Sequence, residues 1–339
     1  MNSTKIETKH QIRLTSPEMA SLWTSYLNDT MAICVIKFVL EKVEDKEIKP
    51  VFEHALRLAE SHIQNIIAIL KEENFPIPFG FTDNDVDLSA PRLFSDTFWL
   101  FYLHEMTIHG LTGYNVALTT STRSDIRDYY TKCNVSSIEL FNMTIDVLLS
   151  KGIYSRPPYI STPPNADFVK KQSFLSGWFG DRRPINAIEI SNIFFILKKD
   201  IVSSALQMGF SQVAKSQEVR DYMVRGVNII SKHIEVFSSI LNDNDLPSPK
   251  RWESEVTNSQ IQPFSDKLML FHALLLVDTA IGFYGAGMAV CMRRDLALQY
   301  QRIITETQKY AEDGANIMIN NHWMEQPPQT DDRRALTRV

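Results

Sequence analysis

The chain has 339 residues, 44% of them apolar, and a formal net charge of −5 at neutral pH. This length favours two domains, and the apolar share is high enough for buried cores, which excludes an intrinsically disordered protein. The acidic balance and the scattered basic residues argue against a surface for nucleic acid or for an anionic membrane.

The cysteines Cys34, Cys133 and Cys291 lie far apart and have no metal-finger spacing. Each falls within a helical pattern, which predicts reduced thiols in a cytoplasmic protein. The polar N-terminus lacks the apolar core of a signal peptide, and no unbroken apolar run reaches roughly 18 residues. We therefore expect a cytoplasmic protein with neither a nucleic-acid nor a membrane partner.

Four long helices are predicted in the first part of the chain. The first begins at the cap-like segment 15–18 and ends near residue 43, and the second ends near residue 74, before two prolines. The third covers about 94–122, and the fourth runs from Asp125 to about residue 152. In the second helix, His62 lies on an apolar stripe with the spacing of a buried helical face.

The second part of the chain repeats the first. Asp200 and His233 follow Asp29 and His62 at the same offset along the sequence, and Tyr284 follows Tyr114 at an offset that is shorter by one position. An ordered series of matches at one offset indicates a tandem duplication, and the change of offset predicts one gap between residues 78 and 94.

The connections between the helices predict the architecture. Within each repeat a short, a long and a short connection join four helices, which is typical of a ferritin-like bundle. The predicted fold is all-α, a tandem duplication of two ferritin-like four-helix bundles. The predicted boundaries are a flexible N-terminal tail (1–13), bundle 1 (14–159), a linker (160–184), bundle 2 (185–328) and a C-terminal tail (329–339).

The linker contains four aromatic residues that a flexible tether would not need. We expect them to hold the linker against a bundle surface and the two bundles to pack on each other. These residues are Phe168, Phe174, Trp178 and Phe179.

Two polar pairs are the candidate site residues: Asp29 with His62 in the first repeat, and Asp200 with His233 in the second. A di-iron bundle needs Glu-x-x-His on two helices, but Ala59 precedes His62 at that spacing, so a complete dinuclear site is absent. The pairs are interpreted as buried hydrogen-bonded partners, with a mononuclear or remnant divalent-metal site and a proton-transfer role as alternatives.

Other charged residues fit structural roles. Glu18 and Glu189 lie in the first turn of a helix, where a negative charge is favourable. The pairs Arg123/Asp125 and Arg293/Asp295 are expected to form local ion pairs and caps. Glu105 is another possible ligand, but its equivalent in the second repeat is Leu275.

Several phrases, among them "LTSPEMASLW", "FVKKQSFLSGWFGDRRP" and "YAEDGANIMI", resemble a tandem ferritin-like family of endospore-forming bacteria, the domain of unknown function DUF3231. That family is distantly similar to spore-coat ferritin-like proteins. The resemblance implies a packing or protective role, with the spore as an alternative location and self-association or a spore layer as the partner.

We therefore predict a non-catalytic structural or interaction protein without a cofactor. The alternative is a metal- or small-molecule-binding protein with a degenerate Asp/His site in each bundle.

Overall fold

A computed structural model describes residues 12–178 and 182–337, and its regular secondary structure is helical. The first half contains α1 (Ser16–Lys42), α2 (Lys49–Glu72), α3 (Asp96–Thr120) and α4 (Ser124–Ser150). The second half contains α5 (Ala187–Val213), α6 (Gln217–Asn242), α7 (Asp266–Val290) and α8 (Arg294–Asn320), followed by the short α9 (Arg333–Leu336). The prediction of an all-helical chain with two similar halves is confirmed.

Side chains before the helices explain where the helices begin. Thr15 precedes α1, and its backbone N–H donates to the Glu18 carboxylate at 2.7 Å. The Ser95 hydroxyl accepts from the Phe98 N–H at the start of α3. Such bonds satisfy donors that the helix itself leaves free, so the observed starts lie close to the predicted ones.

Each half packs its own four helices together. In the first half α1 packs on α2 and α3, and α4 packs on the same two helices. In the second half α5 packs on α6 and α7, and α8 does likewise. The first helix of each half therefore stays with its own half and is not exchanged.

The long connections between the second and third helices of each half pair with each other. Two antiparallel bridges join them, Val86 with Phe264 and Phe94 with Val256. Val256 and Phe264 are the repeat equivalents of Val86 and Phe94, so the second bridge is the first with the halves exchanged. This exchange indicates an approximate two-fold axis between the halves.

Side-chain hydrogen bonds between the halves are related by the same two-fold axis. The Ser95 hydroxyl donates to Glu255 and the Ser265 hydroxyl donates to Asp85, both at 2.7 Å. The larger of two core clusters contains buried apolar side chains from both halves. The two halves therefore share one continuous core, as expected for bundles that pack on each other.

The linker differs from the prediction. Phe168 is 90% exposed and is not buried against either half, whereas Trp178 is 50% exposed and lines a surface pocket with residues of α6 and α8. Phe174 is half-buried, and the Arg183 guanidinium lies 4.1 Å from its ring centre. The predicted anchor Phe179 and residues 1–11 of the predicted tail lie outside the described residues. The halves are held together by their paired connections and core, not by the linker aromatics.

One helix in the described part of the chain, α7, is long and apolar enough to cross a membrane by length and composition alone. No membrane span is predicted from the sequence, because no unbroken apolar run reaches roughly 18 residues. In α7 the polar residues His272 and Asp278 interrupt the run. In this fold α7 packs against α5 and α8 as a bundle helix.

Candidate functional site

In the first half, three helices bring the candidate residues together. Asp29 on α1 and His62 on α2 approach to 3.5 Å between Oδ2 and Nδ1. The Tyr114 hydroxyl on α3 lies 3.2 Å from His62 Nδ1 and donates to Asp29 Oδ1 at 3.5 Å. Asp29 and His62 are buried, so these contacts connect three helices inside the bundle.

In the second half, the tyrosine stands between the carboxylate and the imidazole. The Tyr284 hydroxyl donates to Asp200 Oδ1 at 2.8 Å and lies 3.5 Å from His233 Nδ1. His233 Nε2 lies 3.0 Å from the Glu306 carboxylate on α8, which is 38% exposed. Asp200 and His233 are therefore linked through Tyr284, and the chain of contacts continues to the surface.

The two histidines differ in their protonation. Burial lowers the pKa of His62, but hydrogen bonds to Asp29 and Cys133 outweigh it and raise the pKa to about 10. Burial lowers the pKa of His233, and Glu306 offsets this only in part. Burial also raises the pKa of Asp29, so at neutral pH the Asp29–His62 pair of the first half retains a proton, while the second half holds a neutral imidazole.

Asp200 is the most perturbed acid of the second site. Burial raises its pKa to about 7, against the lowering effects of the Tyr284 hydrogen bond and the nearby Lys199 ammonium. Its Oδ2 atom is buried and has no hydrogen-bond partner among the described residues. A buried carboxyl oxygen of this kind needs a proton or a water molecule to satisfy it.

A small cavity of about 30 Å³ lies beside Asp200. Its polar lining includes Glu105, His109, Lys199, Asp200, His233 and Tyr284. This volume has room for ordered water. Within residues 12–178 and 182–337, no group of three or more His, Cys, Asp or Glu side chains is arranged to hold one metal ion.

A buried charge cluster joins the two halves next to this cavity. Glu105 on α3 lies 3.1 Å from the Lys198 ammonium and 2.9 Å from the Lys199 ammonium, both on α5. All three side chains are buried. Burial raises the pKa of Glu105, but the two ammonium groups lower it well below its usual range.

Several of these partners are not predicted from the sequence. Tyr114 and Tyr284 stand out there only as repeated residues, although a repeated polar residue within an apolar helix is a usable signal. Two adjacent lysines within the apolar α5 were another signal, because buried lysines need a partner. Nothing in the sequence places Glu306 beside His233.

The other charged candidates have structural roles. Glu18 accepts from the backbone N–H groups of Thr122 and Arg123 at 2.8 and 2.9 Å, which ties the start of α1 to the α3–α4 turn. Arg123 forms an ion pair with Asp125, and Arg293 forms one with Asp295, both at 2.7 Å. The expected local ion pairs are therefore present in both halves.

Comparisons with known proteins give a family and one similar structure. The family model described as "Protein of unknown function (DUF3231)" matches residues 3–165 and again 173–336. A crystal structure described as a "putative spore coat protein" from Bacillus halodurans C-125 is similar at 16% identity with a TM-score of 0.40. The match covers 44% of this chain and 98% of that one. No curated protein matches the chain.

Proposed function

This chain belongs to the DUF3231 family, and from its internal contacts we propose that it is a non-catalytic structural protein built of two ferritin-like four-helix bundles. One observation carries the proposal: in each half, a tyrosine hydroxyl contacts both the buried aspartate and the buried histidine, on three different helices. Groups that would otherwise be available for chemistry thereby stabilise the packing of the bundle.

The order of packing supports the ferritin-like description of each half. Short connections join α1 to α2 and α3 to α4, while the long connection 73–95 joins α2 to α3. The helices pack around the bundle in the order α1, α2, α4, α3. A long connection between two tightly joined helix pairs is the arrangement of ferritin-like bundles.

We also propose a cytoplasmic location, with a spore layer as the alternative. The three cysteines are free, which fits a reducing compartment. Immunofluorescence of cells in growth and in sporulation, with an epitope at the C-terminus, distinguishes the two locations.

A second candidate function, the binding of a metal or small molecule, is favoured by the cavity beside Asp200 and its unpartnered Oδ2 atom. The cavity is small, so an ion or a water molecule fits it and a larger organic ligand does not.

Melting experiments distinguish the two functions. We expect His62→Ala and His233→Ala each to cost about 1–3 kcal/mol, because each removes a buried hydrogen-bonding group and leaves a cavity. Melting temperatures of the wild type and both variants are measured with chelator and with manganese, iron(II) or zinc. The structural proposal requires the same wild-type melting temperature in every condition.

The opposite result would be a rise in the wild-type melting temperature on adding a metal, since binding to the native state stabilises it. If that rise is lost in His62→Ala or His233→Ala, the protein is a metal binder. His54→Ala serves as the control, because His54 lies on α2 outside both sites.

A further inference from the structure

The surface through which the halves meet, here called the docking face, is nearly symmetric. Phe81 packs on Phe271 and Trp252 packs on Phe101, with ring centres 5.0 and 4.9 Å apart. These are equivalent contacts: Phe271 occupies the repeat position of Phe101, and Trp252 corresponds to Phe81 when the one-residue gap is placed after Phe81. A face whose contacts come in equivalent pairs is suited to pairing with a copy of itself.

The cluster of Glu105, Lys198 and Lys199 breaks this symmetry. The position equivalent to Glu105 holds Leu275, and those equivalent to Lys198 and Lys199 hold Leu27 and Asn28. One place on the docking face therefore carries a carboxylate with two ammonium groups, and the place related to it by the two-fold axis carries no charge. Leu27 is buried and belongs to an apolar cluster, as expected for this second place.

Pairing of like halves would leave these charges without partners. Two first halves would place Glu105 against Leu27 and Asn28, at both symmetric places. Two second halves would place Lys198 and Lys199 against Leu275, again at both places. A buried charge without a partner is strongly unfavourable, so each like pair carries a penalty that the unlike pair lacks.

We propose that the cluster of Glu105, Lys198 and Lys199 selects the partner of the docking face. It accepts the other half of the chain and rejects a copy of the same half. The cluster acts mainly on specificity, because apolar residues of similar size can replace a buried ion pair with little loss of stability. This role does not depend on whether the sites at His62 and His233 bind metal.

The test uses the full chain with a protease site inserted at Asn165, in the exposed linker. After cleavage, the two pieces are unfolded in urea and refolded together. Native mass spectrometry then distinguishes like pairs (two first halves or two second halves) from unlike pairs (one of each) by mass. For the wild type, we expect less than about a tenth of the pairs to be like pairs. In the variant Glu105→Leu/Lys198→Leu/Lys199→Asn they should rise toward about half, the share for indiscriminate pairing.

Two further variants make the result specific. Glu105→Leu alone leaves two buried ammonium groups without their carboxylate, so it should lower the melting temperature of the uncut chain, and the two lysine substitutions should restore it. Arg225→Leu/Asp313→Leu removes an ion pair from the surface of the second half. In this variant first halves should still pair with second halves, as in the wild type. A wild type that forms like pairs freely, or a triple variant that still forms only unlike pairs, overturns the proposal. If the pieces do not refold, failure of the lysine substitutions to restore the melting temperature overturns it.

Discussion

His62 and His233 occupy equivalent positions, yet their surroundings shift their pKa values in opposite directions. His62 faces Asp29 directly, whereas Tyr284 stands between His233 and Asp200. Burial lowers the pKa of both histidines, but direct contact with Asp29 raises the pKa of His62, and His233 lacks that contact. The duplicated sites keep the aspartate, the histidine and the tyrosine but differ in other partners: Cys133 corresponds to Ile303, and Glu306 corresponds to Ser136.

Asp200 should make stability depend on pH. Its pKa in the folded chain, about 7, is above its ordinary value of 3.8, so the folded state binds the proton more tightly than the unfolded state. The resulting stability is complete below about pH 4 and is lost as the pH rises through 7. The difference corresponds to about 4 kcal/mol.

The variant Asp200→Asn tests this expectation, because an amide cannot titrate. We expect the free energy of unfolding of the wild type to fall relative to the variant between pH 4 and pH 8, measured by urea unfolding. Asp313→Asn, a substitution of a half-exposed aspartate, is the control. Parallel pH curves for the wild type and Asp200→Asn would show that Asp200 does not titrate in this range.

At the scale of helices, one carboxylate in each half joins the start of the first helix to the turn between the third and fourth. Glu18 does so through Thr122 and Arg123. Glu189 accepts from the backbone N–H of Arg293 at 3.1 Å and from the Arg183 guanidinium at 2.8 Å. These contacts satisfy donors at a helix start that lies inside the structure.

Replacing Glu18 with glutamine should destabilise the chain. Burial raises the pKa of Glu18, but the N–H groups of Arg123, Thr15 and Thr122 and the Thr15 hydroxyl lower it to about 2. The stability that the carboxylate provides is present above its ordinary value of 4.5 and is lost as the pH falls through 2. We expect Glu18→Gln to cost about 1–3 kcal/mol at pH 7.

The measurement is the melting temperature at pH 7 and at pH 2.5. The gap between wild type and variant should narrow at the lower pH, where the wild-type carboxylate is partly protonated. Glu72→Gln, an exposed position at the end of α2, should leave the melting temperature unchanged at both pH values. An equal gap at both pH values would assign Glu18 a packing role independent of its charge.

The helices were predictable because apolar spacing, caps and prolines are local signals. The same signals occur in both repeats, so each helix is indicated twice. The contacts at the sites were less predictable. A repeat shows that Asp200 and His233 are equivalent to Asp29 and His62, but it does not show whether Tyr284 lies between them. The Glu105 cluster depends on how two bundles meet, a relation between distant parts of the chain that no local pattern encodes.

For the whole molecule, the docking face rather than the linker holds the halves together. At its centre the Tyr102 hydroxyl and His272 Nε2 lie 2.9 Å apart, at equivalent positions of the two halves. By contrast, the linker exposes Phe168, and the predicted aromatic anchoring is wrong for this residue.

Cutting the linker should therefore not separate the halves. We expect limited proteolysis between residues 160 and 175 to give two fragments in denaturing electrophoresis but one particle of unchanged mass in light scattering. Tyr102→Arg should abolish this retention, because it places a charge without a partner at a fully desolvated position. Release of separate halves from cleaved wild type would show that the linker is the main connection.

The contacts between the halves can form only late in synthesis, after most of the second half has been made. Contacts such as Tyr102 with His272 join residues 170 positions apart in the chain, and a ribosome adds that many residues in roughly 10–30 s. During this interval the first half has emerged with its apolar face uncovered, while neighbouring ribosomes on the same message display identical first halves. Glu105 would then disfavour pairing with an identical first half, because burial there leaves its charge without a partner, until the lysines that pair with it are synthesised in α5, the first helix of the second half.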